Sequence, residues 1–155
     1  MPDPTDSEIE GRLRAMPPDV FVRLGRAMNN VRRADPATLT TWTPSRVLED
    51  GAHTFPYPNY SADVDELQQV LYTAGLVVPF DWMHWKGIKR YKTKEDLAGA
   101  SVADAVRFTT SVVRGERFCD GAIQQHLDDG TLLAAIEVIY AWLTADRSTR
   151  ITPSE

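Results

Sequence analysis

Cysteine is nearly missing from this sequence: in 155 residues Cys119 stands alone. One thiol makes no internal disulfide and leaves no cysteine set for a structural metal site. Histidine is almost as scarce. His53, His84 and His126 lie far apart without metal-ligand spacing, and no H-E-x-x-H pattern occurs. Neither a metal nor a cofactor is expected. Also missing are a phosphate-cradling glycine loop, a G-x-S-x-G elbow and a dinucleotide fingerprint. No apolar run approaches the ~20 residues that a bilayer-spanning helix needs. The opening Met1-Pro2-Asp3-Pro4 is acidic and has no apolar segment, unlike a secretory signal. A cytoplasmic location without membrane attachment is the expectation.

Net positive charge is lacking as well. The formal charge of -5 argues against a dedicated nucleic-acid binder, which usually carries a basic balance. Yet the charge segregates: all four lysines, Lys86, Lys89, Lys92 and Lys94, fall in one stretch with Arg90. What is present is a globular composition, 43% hydrophobic and 25% charged, in a length that suits one domain. Within 1–155 the sequence divides into N-terminal helices (1–33), an irregular or hairpin segment (34–60), a helical core (61–146) and a tail (147–155).

Periodicity supports this division. A first helix is expected from Ser7, with Glu10 as its capping-box partner, ending before Pro17. A second opens near Pro18, with Phe21, Leu24, Met28 and Val31 on one face and Arg23, Arg26 and Arg33 on the other. Four prolines deny residues 34–60 a helix, while Asp50-Gly51 suits the tight turn of a short hairpin between Val47-Leu48 and His53–Tyr57. A third helix opens at Ser61 with the stripe Val64, Leu67, Leu71 and Ala74, and Gly75 terminates it. A fourth runs from Ser101 to Arg114-Gly115. A short helix spans about Asp120–Asp128, and the last runs from Thr131 to about Ala145. That last helix is apolar around most of its circumference and is expected near the centre. Its start, Thr131-Leu132-Leu133-Ala134, cannot present polar groups to base edges, which excludes a DNA-reading helix-turn-helix. The fold class is mainly α: a compact, irregular bundle of five to six helices with one small hairpin or extended loop.

Two local signatures go beyond generic helix patterns. One is Phe80-Asp81-Trp82-Met83-His84-Trp85; the other is Arg114-Gly115-Glu116-Arg117-Phe118-Cys119-Asp120-Gly121, followed by Gly130 and the apolar last helix. In combination they resemble a bacterial family, domain-of-unknown-function family 6508, over roughly Trp42–Leu143. The resemblance implies a compact helical domain and carries no catalytic residue with it.

The residues themselves offer three chemistries. Trp82 and Trp85, three apart, would share a helical face beside the Asp81 carboxylate, a shelf for a stacked ligand; alternatively Asp81 caps a short helix and both indoles cover core. Arg114 and Arg117 would hold a phosphate or carboxylate, or else Arg117 pairs with Asp81 and clasps the two signatures together. Lys86, Lys89, Arg90, Lys92 and Lys94, with Tyr91 among them, form a basic stretch that would contact nucleic acid or simply be a solvated face. Cys119 with His84 or His126 would make a nucleophile and base, although a cysteine beside a core phenylalanine is more often packing. The favoured expectation is a non-catalytic interaction module that binds a protein partner or small ligand through the Trp82–Lys94 region. A nucleic-acid-associated accessory protein is the alternative, and a small enzyme using Asp81 and Arg117 the third reading.

Overall fold

A computed structural model describes residues 2–151, except for the side chain of Ile151. Eight α-helices and one two-stranded antiparallel hairpin build it: α1 (Asp6–Arg14), α2 (Pro18–Arg33), β1 (Thr40–Thr43), β2 (Tyr57–Tyr60), α3 (Ala62–Thr73), α4 (Gly87–Arg90), α5 (Lys94–Ala98), α6 (Val102–Gly115), α7 (Ala122–Asp128) and α8 (Thr131–Ile151). The mainly α class is as expected, with two more helices than the sequence suggested. Both extra helices, α4 and α5, are too short to show a buried stripe; a capping box between Thr93 and Asp96 starts α5.

Helix ends follow local chemistry. Ser61 and Ser101 accept hydrogen bonds from Val64 N–H and Asp104 N–H, and so start α3 and α6 as expected. The start of α1 differs. Thr5, in extended backbone, caps it by accepting from Glu8 N–H, so Ser7 and Glu10 fall inside the helix. The end of α8 differs too: the helix continues past Ala145 through Ile151, so residues 147–151 are not tail. Arg147 and Arg150 anchor this extension by donating to the carbonyls of Met16 and Arg14. Residues 152–155 lie outside the described residues.

The core gathers around α6 and α8. Ten residues of α6 are buried, more than one amphipathic stripe would supply, because α1, α4, α7 and α8 all pack on it. The last helix lies near the centre as expected, touching α1, α2, α5, α6 and α7. Thr131 and Leu132 are buried at its start, consistent with rejecting a recognition helix there. Each fully buried Leu, Ile or Phe contributes roughly 1.5–3 kcal/mol; Leu24, Leu67, Phe108, Ile136 and Ile139 are among them. Charges tie helices together at the periphery. Arg23 forks onto Glu66 across α2 and α3 at 2.5 and 3.0 Å, which raises the Arg23 pKa and lowers that of Glu66, chiefly through the hydrogen bonds themselves.

The hairpin turns where expected but extends further. At its tip Gly51 adopts φ +84, Leu48 N–H donates to Ala52 O at 2.7 Å, and Asp50 accepts from Ala52 N–H at 3.0 Å. Val47 bridges His53, and regular pairing follows lower down, from Thr40↔Tyr60 to Thr43↔Tyr57. Residues 44–53 of this arm are exposed throughout. Pro44, Pro56 and Pro58 carry no N–H, so the edges of the ribbon are poor templates for a third strand.

Candidate functional site

The Arg114–Gly121 signature is first of all a turn between α6 and α7. Glu116 is its keystone. One carboxylate oxygen accepts from the Tyr60 hydroxyl and from Gly121 N–H at 3.2 Å, and the other accepts from Ile123 N–H at 3.1 Å. Burial, reinforced by the bond to Glu116, raises the Tyr60 pKa and keeps its hydroxyl protonated as a donor. Gly121 adopts φ +93, and a Cβ there would come within 2.8 Å of the Trp42 ring. Trp42 lies on this glycine and donates from Nε1 to Gln124 at 2.6 Å. The root of the hairpin arm is thereby fixed to the turn. Glu116 lies inside the second signature and Trp42 opens the span of the resemblance, but the sequence assigned no role to Glu116, Tyr60 or Trp42; the available signal was an acid five residues before a glycine that opens a helix.

The Phe80–Trp85 signature forms a 3-10 turn over Trp82–His84. Asp81 does not cap it through its side chain. Its carboxylate takes His84 Nδ1 at 2.9 Å, while its own N–H donates to Asp3. The expected clasp is therefore absent: among the described residues no ion pair joins Arg117 to Asp81, because the turn places His84 within reach first and Arg117 is exposed after α6. Trp82 and Trp85 do not form one shelf either. Trp85 leaves the turn in extended backbone, rests on Gly87 and meets Phe80 and Tyr91, whereas Trp82 crosses to Phe118 at 5.8 Å. All three rings, Trp82, Trp85 and Tyr91, are half-buried.

The signatures nonetheless meet. Trp82, Met83 and Ile88 face Val112, Cys119 and His126 across a cleft of about 230 Å³. His126 is held there by Thr131, whose hydroxyl donates to Asp129 at 2.5 Å and so accepts from Nδ1–H at 2.8 Å. Burial lowers the His126 pKa and favours the neutral ring. Phe118, expected in the core, stands 72% exposed at the end of α6, with Cys119 exposed beside it. Arg114 is half-buried, its Nε enclosed without a hydrogen-bond partner among the described residues.

The basic stretch folds into α4, a short linker and α5, with Lys86, Lys89, Arg90, Lys92 and Lys94 all exposed. Arg90 reaches Asp104 at 3.7 Å, and Lys94 lies over Gly130. On the arginine face of α2, Arg23 is engaged by Glu66 on α3. Among the described residues no three His, Cys, Asp or Glu side chains cluster as metal ligands, and no helix is long and apolar enough to cross a membrane.

The architecture is thus that of a mainly α domain with an exposed hairpin arm and a small aromatic cleft joined through one turn. The chain belongs to the Family of unknown function (DUF6508), whose sequence model matches residues 19–145. That match takes in α2 and the segment before Trp42, both outside the span the two signatures suggested. No curated protein matches the chain, and no solved structure does.

Proposed function

We propose that this protein is a non-catalytic interaction module that binds a protein partner on the face shared by the cleft, the Arg114–Gly121 turn and the hairpin arm. What supports this reading is where apolar side chains remain uncovered. Of nine large hydrophobic side chains exposed among the described residues, seven stand on these elements: Trp42, Val47, Leu48, Phe55, Tyr57, Met83 and Phe118. Exposed apolar side chains gathered on neighbouring elements favour a contact surface, whereas scattered single exposures are ordinary. Phe55 and Phe118, 86% and 72% exposed, are the natural anchors. The proline-blunted ribbon edges favour a partner that meets side chains over one that adds a strand. Lys86 and Lys89 beside the cleft favour acidic flanks on that partner.

A photo-crosslinking amino acid at Met83 or Phe118, with a control at exposed Tyr72 on α3, tests the proposal in cells. A polypeptide captured from positions 83 and 118 and missed from 72 is the expected result; equal capture from all three would end it. A second reading, nucleic-acid contact through the exposed cations of α4 and α5, makes a separate prediction. Affinity for an oligonucleotide would fall steeply with salt and drop on Lys86→Glu and Lys89→Glu. No binding at low salt excludes it.

A further inference from the structure

A second concavity lies away from both signatures. Met16, Phe21 and Val22, at the α1–α2 junction, face Thr144, Arg147 and Arg150 on α8 across a groove of about 530 Å³. That volume is in the usual range for small-molecule sites, which pair apolar walls with a few placed polar groups. The walls here are a methionine, a phenylalanine and a valine left 54% exposed. The polar groups are cationic.

Arg147 is the best placed of them. Its guanidinium sits 4.6 Å above the Phe21 ring, which in turn stacks on Tyr140 at 4.9 Å. Nη2 donates to Met16 O at 2.6 Å and fixes the plane. A guanidinium has five N–H donors, and this is the one engaged among the described residues, with Nε enclosed and unpartnered. The local charge balance is also positive. Arg14 at 3.3 Å and Arg150 at 3.1 Å share the single carboxylate of Asp146, leaving Arg147 without an acid of its own among the described residues. A fixed cation at the rim of an apolar slot matches a ligand with a carboxylate head and an apolar body.

We infer that this groove binds an amphipathic monoanion, a medium-chain or aromatic carboxylate, with its head on Arg147 and its body along the wall that Phe21 and Val22 form. The site is independent of the partner-binding face and stands or falls without it.

Calorimetric titration of the full chain with octanoate, compared with 1-octanol, tests this. The expected result is one octanoate site and roughly tenfold weaker binding of the alcohol, the loss that follows from removing a charged hydrogen-bonding head. Arg147→Gln should abolish the preference for the acid. Because Arg147 also holds the α1–α2 junction, Val22→Trp provides a second variant: it fills the slot from an exposed position and should block octanoate with the helical circular-dichroism spectrum unchanged. No octanoate binding at millimolar concentration, equal binding of acid and alcohol, or octanoate binding indifferent to Val22→Trp would each overturn the inference.

Discussion

Two glycines make the residue-scale contrast clearest. Gly11 sits in α1, where an added Cβ would meet nothing within 4 Å, whereas Gly121 combines φ +93 with the Trp42 ring at 2.8 Å. Gly11→Ala should therefore leave stability unchanged or raise it by up to about 1 kcal/mol. Gly121→Ala should cost about 2 kcal/mol or more, since it imposes both left-handed strain and a clash. Urea denaturation of the two variants measures the difference. Glu116 invites a similar comparison. Glu116→Gln keeps the size but weakens the bonds to Tyr60, Gly121 and Ile123; a loss of about 1–3 kcal/mol is expected. A double-mutant cycle with Tyr60→Phe should show coupling, because the two residues share one hydrogen bond. At this scale the sequence was partly legible. The caps at Ser61 and Ser101 and the turn at Gly51 follow from side-chain chemistry acting within a few residues. The partners of Glu116 and Asp81 depend on segments up to 78 residues apart, about which local patterns are silent.

At the scale of elements, α7 carries a pH dependence. Burial holds the His126 pKa below its ordinary value, so the folded state prefers the neutral ring. Above the ordinary imidazole value of about 6.5 the ring is neutral whether the chain is folded or not, and the full stability is present. As pH falls below that value the unfolded chain takes up the proton first, and stability declines until the folded-state pKa is passed. Thermal melts from pH 7 to pH 5 should show this decline, and His126→Gln should flatten it. Element boundaries also show where periodicity fails. The stripes of α2 and α3 marked Phe21, Leu24, Met28, Val31, Val64, Leu67, Leu71 and Ala74 as core, and all are buried except Phe21, which is half-buried. α4 and α5, with four and five residues, are shorter than two helical turns and present too few positions for any period to register. The cleft was half legible: its two signatures were visible, but their meeting through Trp82 and Phe118 depends on where α6 ends relative to the 3-10 turn.

For the whole molecule, the far end of α8 matters as much as its centre. Arg147 and Arg150 fasten to carbonyls on Met16 and Arg14, more than 130 positions earlier in the chain. Shortening the protein after Asp146 should lower its melting temperature by several degrees, as expected for about 1–2 kcal/mol in a domain of this size. Loss of α1 packing should appear as earlier hydrogen exchange in Asp6–Arg14.

The five contacts of α8 also bear on how the chain is made. Synthesis runs from N- to C-terminus, so the helix that α1, α2, α5, α6 and α7 all lean on is made after all five of them. Until residue 151 clears the exit tunnel, those helices hold their apolar faces open to solvent. Domains emerging at about 5–20 residues per second spend seconds in that condition. Nascent chains of this protein should therefore be good clients for chaperones that guard exposed apolar surface, and should be released from them only once α8 has emerged and packed.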